Sequence, residues 1–214
     1  MEDFIEQMRN DHKEFDHGSL EGFFGHAPFD LFNSWYSEAI KTAQLEPNAF
    51  VLATVDYRNQ PSSRILYLKE LVAENFVFYT NYQSHKGKDL AANSSASMLF
   101  FWPGLQRQIR IDGHCSKVAE EVSDAYFSSR PRGSQIGAWA SHQSDQLNDR
   151  ADLEQRLEMY AEKFPTEVPR PPHWGGFELK PTLVEFWQGR PSRLHDRIVY
   201  ELDENDWKIY RKNP

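Results

Sequence analysis

The sequence predicts a mainly β fold with helical additions (α+β), an antiparallel Greek-key-like barrel and not an alternating α/β sheet. Short runs rich in β-branched and aromatic residues recur roughly every 10–20 residues with turn residues between them. The helical stretches are inserted among these runs and do not alternate with them, and no Gly-rich first turn of a dinucleotide-binding sheet is present.

In chain order, residues 1–29 mix charge with Gly18, Gly22, Gly25 and Pro28 and read as a loosely ordered, lid-like N-terminal segment. Residues 30–214 read as one domain. Asp30 is placed to cap a helix through about Gln44, in which Leu31, Phe32, Trp35, Tyr36, Ala39, Ile40 and Ala43 make one apolar stripe. The texture then turns to β-like runs at 49–55, 63–68, 76–80, 97–102 and 108–115, parted by turns such as Arg58-Asn59-Gln60-Pro61. Ser84-His85-Lys86-Gly87 opens a short helical stretch to Asn93. Helices over 120–129 and 149–164 form an inserted region, about 120–164; Pro165 stops the second, and Pro169, Pro171 and Pro172 forbid regular structure before Trp174. Runs at 177–187, 193–202 and 207–211 return the chain to strand.

Composition narrows the function. The chain has 214 residues, 39% of them apolar, with 6 Trp, 9 Tyr and 15 Phe, enough for a real core. Its formal charge of −8 argues against nucleic acid or an anionic membrane as partner. Yet residues 61–118 carry 7 basic and 4 acidic side chains, whereas residues 1–60 carry 4 and 11. A local basic cluster in an acidic protein suits a small phosphorylated ligand, which needs two or three donors and no basic surface. The single Cys115 allows no intramolecular disulfide and reads as a buried, inert thiol. The 8 His show no HExxH or CxxC context, so no metal site is expected. No apolar run approaches the roughly 20 residues of a membrane span, and a cytoplasmic protein is the expectation.

Three constellations could carry chemistry. If 193–202 is a strand, Arg193, His195 and Arg197 share one face about 6.6 Å apart, an unfavourable row of cations unless something anionic or electron-rich lies across it. Tyr126 and Arg130 stand at i, i+4, and Ser134 follows in a Gly133-containing turn; phenol, guanidinium and hydroxyl together make a plausible phosphate clamp, although an ordinary helix end explains the first two equally well. Arg64, Lys69, Lys86, Gln108 and Arg110 form a scattered basic set in which strand parity separates Arg64 from Lys69 and joins Gln108 to Arg110.

Taken together, the stretches Arg64-Ile-Leu-Tyr-Leu-Lys69, Phe78-Tyr-Thr-Asn-Tyr82, Ser84-His-Lys-Gly87, Leu99-Phe-Phe-Trp102 and Arg107-Gln-Ile-Arg110 carry a family likeness. So do Tyr126-Phe-Ser-Ser-Arg-Pro131, Ser134-Gln-Ile-Gly-Ala138, Ser141-His-Gln-Ser144, Trp174-Gly-Gly176, Glu185-Phe-Trp-Gln-Gly189 and Arg193-Leu-His-Asp-Arg197. In this order, from about residue 30 to the C-terminus, the chain resembles the pyridoxine/pyridoxamine 5′-phosphate oxidase family of FMN-binding split β-barrels.

The resemblance implies FMN as cofactor, lined by Arg64, Ile65, Leu66, Tyr67, Leu68 and Lys69, with Arg64 and Lys86 near its phosphate and His85 among the cofactor-binding residues. Tyr79, Thr80, Gln108, Gln143, Ser144, Trp187 and Arg197 would complete that site. Lys69, Tyr126, Arg130 and Ser134 would hold the substrate phosphate, and Arg193, Leu194 and His195 the pyridine ring, with Arg193 and His195 as the catalytic pair. The implied reaction oxidises pyridoxamine or pyridoxine 5′-phosphate to pyridoxal 5′-phosphate with O2, releasing H2O2, and ammonia from the amine. A homodimer with FMN at the subunit interface is implied as well.

Three positions depart from the family pattern: His85 stands where Arg is common, which makes that donor weaker and pH-dependent. His12 and Phe15 fall where a lid pattern has Arg and Tyr, and the chain ends Arg211-Lys-Asn-Pro214 in place of Arg-Leu-Ala-Pro. The competing readings are a split-barrel oxidase of the phenazine-pathway type, in which the Tyr126/Arg130/Ser134 clamp is poorly matched, a non-catalytic flavin- or pyridoxal-phosphate-binding protein, and a flavin reductase, for which no nicotinamide-recognition signal is found.

Overall fold

In the computed structural model, the described residues are 6, 14–22, 25, 27–42 and 44–214. Ala43, expected on the first helix's apolar stripe, and His12 lie outside them. The described elements in chain order are α1 (Pro28–Lys41), β1 (Ala49–Val55), β2 (Pro61–Tyr67), β3 (Glu70–Val72), β4 (Asn75–Asn81), α2 (His85–Ala92), β5 (Ser95–Trp102), β6 (Arg107–Lys117), α3 (Glu120–Ser129), α4 (Arg132–Ala140), α5 (Arg150–Lys163), β7 (Trp174–Gln188), β8 (Asp196–Asp203) and β9 (Asp206–Arg211). The strand order is β2-β1-β5-β6-β7-β4-β3, with β8 paired to β7 and β9 to β8. The registered pairs β1–β2, β3–β4, β4–β7, β7–β8 and β8–β9 are all antiparallel, as the pattern of strands predicted.

By internal contacts the chain divides into two compact units, one of Met1–Pro47, Leu99–Ile111 and Leu183–Pro214, the other of Asn48–Met98 and Asp112–Thr182. In the first, the apolar stripe of α1 buries Leu31, Phe32, Trp35 and Ala39. Trp35 meets Phe186 edge-on at 5.2 Å, Phe32 meets Phe100 at 5.5 Å, and Phe186 meets Tyr200 at 5.7 Å. Such aromatic pairs add about 0.5–1.5 kcal/mol each beyond their buried area.

In the second unit β1 buries alternate residues, Phe50, Leu52 and Thr54, so one face of the strand is core. Phe50 packs on Phe78, and Phe78 on Phe177 across the β4–β7 pair. A satellite core of Phe127, Ile136, Val168 and Trp174 lies under α3 and α4.

Four local readings are corrected. The first helix begins at Pro28 with Ala27 as N-cap, so Asp30 sits in the first turn; proline, with no N–H to satisfy, takes the opening position. The segment containing Ser134 is not a Gly turn but the first turn of α4, with Pro131 as its N-cap residue; glycine near a helix start costs too little to break it. Glu70–Val72 is a short strand that three residues were too few to signal. Arg193 and His195 are not in a strand: Pro191–Arg193 form a 3-10 turn in which Ser192 (φ 57°) and Arg193 (φ 61°) are left-handed, and β8 starts only at Asp196. The same-face row of Arg193, His195 and Arg197 therefore does not exist. By contrast, β6 alternates as expected, with Gln108 and Arg110 both on its half-buried face.

Candidate active site

Two neighbouring cavities are built entirely from the second unit, and both are lined by Leu66 and Gln143. The smaller, about 380 Å³, lies between β2 and the start of α2 and is lined by Ser62, Ser63, Arg64, Ile65, His85, Lys86 and Ser144. Ser84 caps α2, its hydroxyl accepting from the Gly87 amide at 3.3 Å, and this fixes the turn that carries His85 and Lys86.

Lys86 is buried, and its Nζ donates to Thr80 Oγ1 (3.3 Å), Ser84 Oγ (3.2 Å) and Gln143 Oε1 (3.2 Å), all neutral oxygens. Arg64 Nη1 donates to the Leu52 carbonyl (3.1 Å) and Thr54 Oγ1 (2.8 Å). The buried carboxylate of Asp89 accepts from Thr54 at 2.6 Å and Ser62 at 3.2 Å; it lies 3.8 Å from Arg64 and 3.7 Å from the exposed His85. Two largely buried cations thus share one carboxylate. Burial, and then the Arg64 charge, bring the Lys86 pKa down to about 8. Burial also lowers Arg64, against the pull of Asp89. A pair of cations held at this cost is an environment in which an added anion is stabilising.

The larger cavity, about 680 Å³, is lined by Lys69, Tyr126, Arg130 and Ser134 together, the four residues that the resemblance assigns to a substrate phosphate. Helix α3 presents Tyr126 and ends with Arg130 as its C-cap, and Ser134 follows in the first turn of α4. Tyr126 stacks on Tyr79 at 3.8 Å and 12°, and Trp174 lies nearly parallel to both. The Arg130 guanidinium sits 4.5 Å over the Trp174 ring and 5.5 Å over Phe127. Its Nη1 is buried and has no hydrogen-bond partner among the described residues. Burial lowers the Arg130 pKa, countered by Tyr126. An orphaned, desolvated guanidinium donor is costly unless a ligand supplies the acceptor. The wall is completed by Tyr79, whose hydroxyl donates to Glu70 at 2.8 Å; burial and that carboxylate raise its pKa.

Of the other expected residues, Tyr67 and Thr80 line the larger cavity, and Leu68 is buried just past β2. Gln108, Trp187, Arg193, Leu194, His195 and Arg197 belong to the first unit. There His195 Nδ1 accepts from the Arg190 amide at 3.1 Å, its ring lies 4.5 Å from that of Trp187, and Phe15 meets both rings edge-on. Arg197 donates through Nε (2.9 Å) and Nη2 (2.7 Å) to Glu185, which also accepts from Arg110 at 3.1 Å. These arginines hold the buried Glu185 carboxyl below its ordinary range despite burial.

Asp89 was not singled out from the sequence, and Glu185 and Trp174 were quoted only within family-like stretches, without a role. The i+3 spacing of Asp89 from Lys86 on a short helix was the one available signal; Glu185 reads as an ordinary strand residue until its partners are seen. Cys115 is buried and its thiol is pushed up to about 12, as an inert thiol should be. Among the described residues no cluster of His, Cys, Asp or Glu is arranged to hold a metal, and no helix is long and apolar enough to cross a membrane.

Comparison with known proteins gives the family. The sequence model described as pyridoxamine 5′-phosphate oxidase matches residues 36–188, and that described as pyridoxine 5′-phosphate oxidase C-terminal dimerisation region matches 174–214. The chain belongs to the pyridoxamine 5′-phosphate oxidase family.

Members of that family from Cupriavidus necator, 53% identical over 87% of this chain and 89% of theirs, and Paraburkholderia xenovorans, 48% identical over 94% and 96%, are named pyridoxine/pyridoxamine 5′-phosphate oxidase. Among solved structures, PhzG from Burkholderia lata 383, determined with tetrahydrophenazine-1-carboxylic acid, is 32% identical with a TM-score of 0.85, covering 92% of this chain and all of that one. A pyridoxamine 5′-phosphate oxidase-related, FMN-binding protein from Nostoc punctiforme shares the fold at 16% identity, with a TM-score of 0.71 over 89% of this chain and all of that one. The expected family, fold class and oxidoreductase class are borne out.

Proposed function

We propose that the chain oxidises pyridoxamine 5′-phosphate and pyridoxine 5′-phosphate to pyridoxal 5′-phosphate, using FMN and passing the electrons to dioxygen. The observation that carries this reading is the unpartnered, buried Nη1 of Arg130 in a cavity that also holds Tyr126, Ser134 and Lys69. Guanidinium, ammonium and hydroxyl donors converging from three elements suit a phosphate monoester, which offers several acceptor oxygens.

The residues around the smaller cavity fit the phosphate of FMN. Arg64 and Lys86 supply charge that Asp89 neutralises only in part, and Ser62, Ser63 and Ser144 add hydroxyls. Arg64, His85 and Lys86 hold that phosphate in this reading, and the stretch Arg64–Lys69 runs along the ring. Tyr79, Thr80, Gln143, Ser144, Gln108, Trp187 and Arg197 complete the cofactor contacts. When bound, the flavin supplies a two-electron acceptor that no side chain can provide.

The chain's own part is placement. The phosphate clamp turns remote binding energy into orientation of the substrate ring, which can supply several kcal/mol of a barrier. Arg193 and His195 act at the reacting end, where a cation and a polarised ring stabilise developing charge. Leu194, 69% exposed in the single chain, lies between them and contacts the substrate ring in this reading. The match of residues 174–214 to a dimerisation region supports a homodimer, and Ile65, 65% exposed on β2, is apolar surface of the kind an interface covers.

The likeness to PhzG favours one competitor, oxidation of another reduced aromatic ring that bears no phosphate. Product formation separates the two: in air the purified protein should convert pyridoxamine 5′-phosphate to the aldehyde with stoichiometric peroxide, and should turn over unphosphorylated pyridoxamine far more slowly. Equal turnover of the two substrates would contradict the clamp reading.

A further inference from the structure

We infer that His195 meets the substrate as a hydrogen-bond donor through Nε2, its tautomer fixed by the backbone amide of Arg190, and that it does not serve as a proton-abstracting base. The inference rests on the assignment of His195 to the reacting end made above; the tautomer itself follows from the chain alone.

A backbone amide can only donate, so the 3.1 Å contact from Arg190 N requires a lone pair on Nδ1. A neutral imidazole with that lone pair carries its proton on Nε2. Partial burial and the nearby Arg193 charge both lower the His195 pKa, favouring the neutral ring. Arg190 itself is held from both sides: its Nη1 donates to the Gly18 carbonyl at 2.7 Å and its Nε lies 3.6 Å from Asp196. The turn carrying the amide is pinned by Gly189 N donating to the Gln106 carbonyl at 2.8 Å and Leu194 N to the Pro191 carbonyl at 3.1 Å.

The ring plane is fixed as well. Trp187 lies 4.5 Å away at 45°, and Phe15 packs edge-on at 5.3 Å and 88°. Phe15 can sit there because residue 189 is glycine; a Cβ at that position would lie 2.5 Å from the Phe15 ring. Among the described residues nothing accepts from Nε2, although the ring is half-buried. A donor held in this orientation suits an oxygen or nitrogen lone pair on a bound ring. To act as a base through Nε2, the ring would have to place its proton on Nδ1, donor against donor with the Arg190 amide, and lose that hydrogen bond.

The test combines spectroscopy with two isosteres. In flavin-loaded protein carrying 15N-labelled histidine, His195 should show a protonated Nε2 and an unprotonated Nδ1 at neutral pH. A protonated Nδ1, or a doubly protonated ring, overturns the inference. Glutamine places an amide N–H near the Nε2 position and asparagine near Nδ1. His195→Gln should therefore keep turnover within about tenfold, whereas His195→Asn should lose about a hundredfold or more, the scale of a proton-transfer or positioning contribution, with flavin content and melting temperature unchanged in both. Equal, large losses in the two variants would refute the donor. Should the wild-type chain leave pyridoxamine 5′-phosphate unoxidised while showing the stated tautomer, the proposed substrate falls and the tautomer stands.

Discussion

Replacing Arg130 with methionine separates ligand binding from folding. Removing a buried arginine commonly strands a carboxylate or a carbonyl; here Nη1 has no partner among the described residues, and the guanidinium rests on Trp174 at 4.5 Å. Methionine keeps most of the stem volume and its sulfur can lie against the same ring. The loss of a cation–π contact, about 0.5–2 kcal/mol, is offset by removal of a desolvated, unsatisfied donor costing about 1–3 kcal/mol. The melting temperature should therefore change little, with net stability within about 1 kcal/mol of wild type. Binding behaves differently: a charge-assisted hydrogen bond to phosphate contributes about 1.5–3 kcal/mol, so the KM or Kd for the phosphorylated substrate should rise about 10- to 150-fold. The control is the unphosphorylated alcohol or amine, whose weak binding should be unaffected. Steady-state kinetics on both substrates, with thermal unfolding on the same samples, measure it. A variant that loses both substrates equally, or that unfolds with phosphate affinity intact, would refute the clamp.

Three further outcomes are expected. Lys86 is charged below about pH 8 and neutral above it, so the affinity for FMN should fall as pH rises through 8, with proton uptake on binding near that pH. Because its folded pKa lies below the ordinary 10.5, the unfolded chain binds more protons between these values, and the stability of the unliganded protein should rise over that window; potentiometric and calorimetric titrations read both. Cys115, with its thiol pushed up to about 12, should resist alkylation in the native protein and react only on unfolding, as mass spectrometry of iodoacetamide-treated samples would show. Gly87→Ala would place a Cβ 2.2 Å from the Tyr82 carbonyl oxygen, a backbone atom that cannot swing aside. It should cost about 1–3 kcal/mol or more and release flavin as α2 shifts, while native flavin content and melting temperature would count against the close approach.

Much of the fold was legible because β1, β5 and β6 bury alternate residues and so one face. The alternate burial of Phe50, Leu52 and Thr54 in β1 and the Leu31-Phe32-Trp35-Ala39 stripe of α1 are patterns that periodicity reads directly. Periodicity failed where local backbone geometry overrides side-chain pattern. Left-handed Ser192 and Arg193 end a would-be strand before His195, and nothing in Arg-Leu-His-Asp-Arg announces that turn. Helix α4 was hidden by Gly133, which read as a turn residue although it lies within the first turn of the helix.

The basic residues were legible as types, and the i, i+4 pair Tyr126/Arg130 as a local geometry. Their grouping with Lys69 and Ser134 depends on α3 and α4 packing back over β4, a long-range contact that no spacing encodes. The charge balance was legible only in part. Asp89 sets how much positive charge remains around Lys86, and it became visible as a partner only once α2 was seen against Thr54 and Arg64.

The central claim is that one unit of the fold carries two separate anion cradles, one for the cofactor and one for the substrate. A crossed titration tests it most directly: Lys86→Met and Arg130→Met, each measured for FMN affinity by fluorescence and, after saturation with FMN, for pyridoxal 5′-phosphate affinity by calorimetry. The first variant should lose FMN affinity by at least about tenfold, the scale of one charged contact, and keep pyridoxal 5′-phosphate; the second should do the reverse. Variants that weaken both ligands alike, or neither, would contradict the account.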